Sequence, residues 1–154
     1  MPSTTTSWLS PRSLTTPIYN APGNHEIFDH PELAALYEKR MGRLYGSFDY
    51  GHSHFIALNT EEIGLGGGIG KEQRDWLERD LEANKGAAHI FAFTHHPIFA
   101  RTKEGFSSLS NRDDIHKLFV QYGVRHVFSG HDHVFLQVRT RRDHLLAFRR
   151  RRRP

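Results

Sequence analysis

The sequence contains no cysteine, which excludes a disulfide scaffold, a thiolate metal site and a cysteine nucleophile. It also lacks an apolar run near the roughly 18 residues that a membrane-spanning helix needs. Residues 1–17 are polar and interrupted by proline, without the hydrophobic segment of a secretory signal. These absences predict that no segment enters a membrane, and they make the cytoplasm the default location.

Basic charge is present but concentrated at one end. The formal net charge is +4, yet residues 139–154 hold eight Arg and one Asp, so residues 1–138 carry a net charge of −3. A mildly acidic body lacks the broad basic surface that binding to a phosphate backbone requires. Nucleic acid is therefore expected as a partner only through this arginine-rich tail.

Three stretches carry apolar residues at helical spacing and are predicted to form helices, over about 31–40, 71–84 and 111–122. Asp29, three residues before Glu32, resembles a capping box at the start of the first helix. Gly86 and Gly123 follow the other two and are expected to end them.

Short apolar runs alternate with these helices and are predicted to be strands, at 54–59, 89–94, 124–128 and 134–138. Because the runs are apolar on both faces, we expect both faces of the sheet to be covered, which indicates an α/β architecture. The glycine-rich stretch 64–70 lacks the Gly-Lys-Ser/Thr ending of a phosphate loop. We interpret it as a flexible surface loop.

Histidine is unusually common, at 12 of 154 residues, and several histidines follow predicted strands. Asn24 and His25 follow the segment 17–21, His95-His96-Pro97 follows the second apolar run, and Gly130-His131-Asp132-His133 follows the third. Ligands in open α/β sheets bind beyond the carboxyl ends of the strands, so these groups are expected to meet. Taken alone, each motif is compatible with a histidine that has only a structural role or is exposed to solvent, as well as with a metal ligand.

The chemistry of these residues suits a metal ion. On an extended chain, His131 and His133 would project to the same side, and Gly130 would allow the sharp turn out of the strand. Asn24 offers a neutral amide oxygen, and Pro97 would present His95 at the sheet rim. Together they predict a shared metal site.

Three of these motifs, GNHE at 23–26, HHP at 95–97 and GHDH at 130–133, resemble the last three signature motifs of the calcineurin-like metallophosphoesterases. The resemblance covers about residues 18–135 and looks like the branch that contains purple acid phosphatases and cyclic-nucleotide phosphodiesterases. It implies a layered sandwich of mixed β-sheets flanked by helices. It also implies a hydrolase of phosphate mono- or diesters that uses divalent Fe, Mn or Zn.

By this resemblance, Asn24, His95 and His131 would hold one metal and His133 the other. His95 is preferred to His96 because the ligand of the family is the histidine two positions before proline. His25 would be the catalytic residue that stabilises the transition state or protonates the leaving oxygen. A pair of such cations would clamp the phosphate and activate a water molecule.

The first two motifs of the family, which supply aspartates and a histidine, have no counterpart, because residues 1–23 contain no Asp, Glu or His. Without a bridging carboxylate, two adjacent dications repel each other, so at most one cation is expected. The expectation is an N-terminally incomplete fold and reduced or no activity, from a fragment or a degenerate copy. Its predicted parts are a disordered or non-native leader at 1–17, a partial domain at 18–138 and a basic tail at 139–154.

Two alternatives to this first interpretation stay open. In one, the chain is a non-catalytic, metal-stabilised binding protein whose arginine-rich tail contacts acidic partners. In the other, it is an active subunit completed by a partner that supplies the missing aspartates. The oligomeric state and the phosphate-ester substrate are not determined by these residues.

Overall fold

The computed structural model describes residues 17–98, 109–133, 136–141 and 144–149. The predicted leader, apart from Pro17, and the arginines at 150–153 lie outside the described residues. Within these ranges, none of the helices is long and apolar enough to cross a membrane.

The described helices are α1 Asn24–Ile27, α2 Pro31–Met41, α3 Lys71–Ala83 and α4 Arg112–Gln121. The three helices predicted from periodicity are confirmed. The capping box is wrong, because the cap of α2 is His30 and makes no side-chain hydrogen bond. Asp29 lies one residue too early, in the left-handed region with a φ of 58°, and its carboxylate accepts the N–H of Gly64 at 2.6 Å.

The main sheet has four strands in the order β1-β2-β3-β4, namely Gly46–Tyr50, Ser53–Ala57, His89–Thr94 and His126–Ser129. Strand β1 is antiparallel to β2, whereas β2, β3 and β4 run parallel, so the sheet is mixed. A separate antiparallel hairpin joins β5 Leu136–Arg141 and β6 His144–Arg149. β1 was not predicted because it has no continuous apolar run; its polar residues Ser47 and Asp49 alternate with Phe48 and Tyr50.

Helices α3 and α4 cover one face of the sheet. Leu77 and Leu81 of α3 and Ile115 of α4 are fully buried against the sheet residues Ile56 and Ile90. Burial of each such side chain contributes about 1.5–3 kcal/mol, so this helix–sheet layer is the main source of stability.

The opposite face of the sheet is a ladder of aromatic side chains. Phe48, Phe55, Phe91 and His126 occupy one register across all four strands, with ring centroids 4.9–5.0 Å apart. Among the described residues, nothing covers the β4 side, where Phe128 is 53% exposed. Within the part of the chain that the structure describes, the expectation that both faces are covered therefore holds only for the helix side, because an apolar run does not reveal which neighbours lie above it.

His54 of β2 links this sheet to α3 through two carboxylates. Its side chain is 2% exposed, with Nδ1 2.7 Å from Asp49 Oδ1 and Nε2 2.8 Å from Asp80 Oδ2. Burial alone would lower the pKa of His54, but the hydrogen bonds to Asp80 and Asp49 outweigh it and raise the pKa above its ordinary value. The folded protein therefore favours the imidazolium form more than the unfolded chain does.

We predict that this group makes stability depend on pH. A raised folded-state pKa gives stabilisation that is complete below the ordinary value of about 6.5 and is lost as pH rises through the folded-state value. The free energy of unfolding in urea should fall over that window, and Asp80→Asn should reduce the slope. The exposed Asp113→Asn is the control and should keep the wild-type slope; an unchanged slope in Asp80→Asn would contradict the assignment.

Candidate metal centre

The parallel pairing of β3 and β4 brings two of the candidate ligands together. Thr94 and Ser129 are opposite each other at the ends of these strands, and their hydroxyls lie 2.8 Å apart. One residue further, the N–H of Gly130 donates to the carbonyl of His95 at 3.1 Å. His95 and His131 therefore leave the same sheet edge side by side, as expected for parallel strands.

Asn24 reaches this edge from a helical turn and not from a strand. The described segment 17–23 contains no strand, contrary to expectation, and Asn24 is the first residue of α1. The N–H of Gly23 donates to Glu26 Oε2 at 2.9 Å, which fixes the start of the turn. Pro22 and Gly23 disfavour a strand here, since proline cannot donate to a ladder and glycine weakens one.

Three atoms that could coordinate a metal ion, Asn24 Oδ1, His95 Nε2 and His131 Nδ1, lie close together at the sheet edge. The Nε2–H of His95 donates to Asn24 Oδ1 at 2.7 Å, and the same nitrogen lies 3.1 Å from His131 Nδ1. The rings of His95 and His131 meet edge to face, with centroids 5.1 Å apart. The structure thus brings together three of the four proposed metal ligands.

The other two candidate residues lie at the margin. His133 is exposed, and within the described part of the chain no hydrogen bond or ring contact joins it to Asn24, His95 or His131. Its charge still acts on His131, whose pKa it helps to lower. His25 is also exposed, and its ring meets Phe28 edge to face at a centroid distance of 5.2 Å.

The backbone turns sharply between His131 and His133. The N–H of Asp132 donates to the carbonyl of Gly130 at 2.8 Å, which closes a three-residue turn around His131. His131 and His133 have φ values of 66° and 49°, so the extended His-x-His geometry was wrong. The left-handed φ falls on His131 and not on Gly130, where a Cβ would make only ordinary van der Waals contact, 3.4 Å from His95 Nδ1.

The two imidazoles at the centre favour their neutral forms. Burial is the main cause that lowers the pKa of both His95 and His131 below the ordinary value. Repulsion from the neighbouring histidines lowers both values further, whereas Glu61 opposes the shift. Neutral imidazoles have the lone pairs that metal coordination needs.

Two further residues lie beside the centre: Glu61, which was not predicted, and His96, which was considered only as the less favoured ligand of the HHP motif. The Nε2–H of His96 donates to Glu61 Oε1 at 2.9 Å, and its ring centroid lies 4.1 Å from that of His131. A sequence signal for Glu61 was available, because the polar segment 59–61 follows β2. Strand β2 is the second strand that pairs in parallel with β3, so its end lies at the same sheet edge.

The glycine-rich stretch also differs from expectation. Residues 64–66 are exposed, as a surface loop would be, but residues 67–69 are buried. Gly67 has a φ of 86°, and a Cβ there would lie 3.0 Å from His96 Nε2. Gly67 therefore packs against His96, beside the centre, and is not part of an exposed loop.

The donor set fits a single borderline divalent cation. One amide oxygen and two imidazole nitrogens are ligands that Zn, Mn and Fe accept in proteins. Within the described ranges, no three His, Cys, Asp or Glu side chains are grouped to hold a metal ion, and the third donor of the proposed set is an amide. Glu61 is paired with His96, so the described residues offer one cation a neutral set without a bridging carboxylate.

Comparison with known families decides the relationship. The family model for calcineurin-like phosphoesterases matches residues 2–135. The chain belongs to the calcineurin-like phosphoesterase family. Its mixed four-stranded sheet flanked by helices agrees with the fold of that family, which normally uses divalent metals.

The chain is also similar to individual curated proteins, at low sequence identity. The chain is 28% identical over 129 residues to serine/threonine-protein phosphatase CPPED1 of Bos taurus, covering 76% of this chain and 41% of the relative. The proteins of the same name from Homo sapiens and Danio rerio are 28% and 27% identical, covering 76% of this chain and 41% and 42% of their own lengths. The chain thus spans about two fifths of the length of the curated relatives that it matches.

We predict that a methyl group at Gly23 disrupts the candidate metal centre. Its backbone, with φ of −116° and ψ of 175°, suits any residue, but a Cβ would lie 2.7 Å from His95 Nδ1. Gly23→Ala should cost about 1–3 kcal/mol in urea unfolding through this overpacking and should shift the His95 ring resonances. Gly86→Ala meets nothing within 4 Å and serves as the control; equal stability of the two variants would refute the close approach.

Proposed function

We propose that this chain binds one divalent cation at Asn24, His95 and His131 and hydrolyses phosphate esters weakly or not at all with the residues it carries. The observation that supports this is the position of His95 Nε2, which lies 2.7 Å from Asn24 Oδ1 and 3.1 Å from His131 Nδ1. Membership of a phosphoesterase family supports the type of reaction.

The roles of the side chains follow from their chemistry. Asn24 would supply an amide oxygen, and the neutral imidazoles of His95 and His131 would supply lone pairs. A cation bound there would act as a Lewis acid on a phosphoryl oxygen. His25, exposed and adjacent to Asn24 in the chain, would donate a proton to the leaving oxygen, since its ring is open to an incoming substrate.

The limit on activity follows from charge. Residues 1–23 contain no acidic side chain, and Glu61 is already hydrogen-bonded to His96. A second dication a few ångströms from the first would meet repulsion that neutral donors do not offset. His133, whose charge acts on His131, is the candidate fourth ligand to the same cation.

The substrate class is proposed from the relatives. Those quoted above are named as serine/threonine-protein phosphatases, which supports phosphomonoesters of serine and threonine as the class that the whole protein would accept.

We predict a stoichiometry of one Mn²⁺ or Zn²⁺ per chain by isothermal titration calorimetry. His95→Ala and His131→Ala should each weaken binding at least about tenfold, because each removes a donor. The exposed His52→Ala is the control and should bind as the wild type does. Binding that survives both site substitutions would contradict the assignment.

The same preparations test the limit on activity. With added Mn²⁺, turnover of p-nitrophenyl phosphate and of bis-p-nitrophenyl phosphate should be far below that of a full-length relative. Turnover equal to that of the relative would show that the missing carboxylates were misjudged.

A second candidate function is supported by the charge distribution. Residues 139–154 carry a net charge of +7, and the hairpin of β5 and β6, which begins at Leu136 and extends into this region, forms a sheet of its own. We propose that the arginine-rich segment contacts acidic partners such as nucleic acid, through counterion release.

We predict salt-sensitive binding of the full chain to duplex DNA, measured by fluorescence anisotropy. Replacing the arginines at 150–153 by glutamine should reduce the affinity and the salt slope, because four phosphate contacts are removed. Lys39, Arg40, Arg43 and Lys85, all exposed, give a matched fourfold glutamine control. No binding at low salt, or an equal loss in the control, would overturn this candidate.

A further inference from the structure

The proposed function leaves a buried acid–imidazole pair unused. Glu61 and His96 have side chains that are only 8% and 10% exposed, and the Nε2–H of His96 donates to Glu61 Oε1 at 2.9 Å. Burial of two ionisable groups costs free energy unless they are hydrogen-bonded to each other. A pair of this kind beside the candidate metal centre calls for a functional explanation.

The ring of His96 is held from several sides. Its backbone N–H donates to Thr60 Oγ1 at 3.0 Å, and Glu61 engages its Nε2. Gly67 approaches so closely that a Cβ there would lie 3.0–3.1 Å from three atoms of the ring. The plane of the His96 ring is therefore set by the loop beyond β2.

This ring packs against His131. The two centroids are 4.1 Å apart with the planes tilted by 39°, whereas His95 meets His96 edge to face at 5.6 Å. His131 lies in a left-handed conformation that is strained for a non-glycine residue and persists only where its surroundings impose it. His96 is part of those surroundings.

We propose that Glu61 and His96 act as a positioning pair, in which Glu61 orients the ring of His96 and that ring holds His131 with Nδ1 directed at His95 Nε2. The inference rests on the cation site proposed above and adds to it two residues that touch neither cation nor substrate. Such supporting groups orient the ligands of metal sites in proteins.

The same carboxylate supplies negative charge beside the centre. The three proposed ligands are neutral and contribute no negative charge toward a cation, whereas the acidic side chain of Glu61 is held next to them through its hydrogen bond to His96, whose ring packs on His131.

Two variants separate orientation from charge. Glu61→Gln retains an oxygen that can accept from His96 but removes the negative charge. His96→Phe retains a ring of similar size but removes the N–H, so the ring is free to rotate within its slot. Asp80→Asn makes the same chemical change as Glu61→Gln in the pair with His54 and is the matched control.

The first measurement is ¹H–¹⁵N correlation of the histidine rings in the full chain without added metal. In the wild type we expect His96 to carry its proton on Nε2. His96→Phe and Glu61→Gln should both shift the His131 ring signals, because the neighbouring ring changes its orientation. Asp80→Asn should leave the His131 signals in place.

The second measurement is titration with Co²⁺, followed by visible absorption. Glu61→Gln and His96→Phe should each weaken binding about 10- to 100-fold, as loss of supporting groups does at other metal sites. Asp80→Asn should bind within twofold of the wild type. Unshifted His131 signals together with unchanged Co²⁺ affinity in folded Glu61→Gln and His96→Phe would overturn the proposal, as would equal losses in Asp80→Asn.

The two measurements distinguish failure of the proposed cation site from failure of the proposed positioning pair. If the wild type binds no Co²⁺ but both variants shift the His131 signals, the cation site is wrong while the positioning of His131 by the pair stands. If Co²⁺ binds in the wild type and neither variant alters binding or ring signals, the cation site stands and the pair has only a structural role.

Discussion

Parallel pairing of three adjacent strands is the constraint on which the candidate site depends. Because β2, β3 and β4 run in the same direction, the residues that follow each of them leave the sheet at one edge. Glu61 follows β2, His95 follows β3 and His131 follows β4. The helices on one face supply the apolar burial that keeps these strands in register, so the core and the site are consequences of one arrangement.

The three proposed ligands at this sheet edge, Asn24, His95 and His131, are neutral and partly buried. Burial lowers the pKa of His95 and His131, which frees their lone pairs but makes an approaching positive charge costly. The nearby buried Glu61 offsets that cost while it stays hydrogen-bonded to His96. His95 and His131 thus supply the lone pairs, whereas Glu61 supplies the negative charge that favours a cation beside them.

Much of the fold follows from local pattern. The spacing of Ile115, Leu118 and Phe119 is helical, and the apolar run 89–94 is a strand with those bounds. β1 was missed because Phe48 and Tyr50 are the only apolar members of a strand otherwise made of Gly, Ser and Asp. The turn at His131 was missed because a left-handed φ on histidine has no reliable sequence signal, unlike one on glycine.

The sequence by itself determined which residue types end the strands and, through its motifs, the family to which the chain belongs. Periodicity and strand-end chemistry are local properties, so one chain suffices to read them. Only the tertiary structure decided that Asn24, His95 and His131 converge while His25 and His133 lie at the margin, and that Glu61 and Gly67 enclose His96. These contacts join residues far apart in the chain, and their distances depend on strand register and backbone turns that no local pattern encodes.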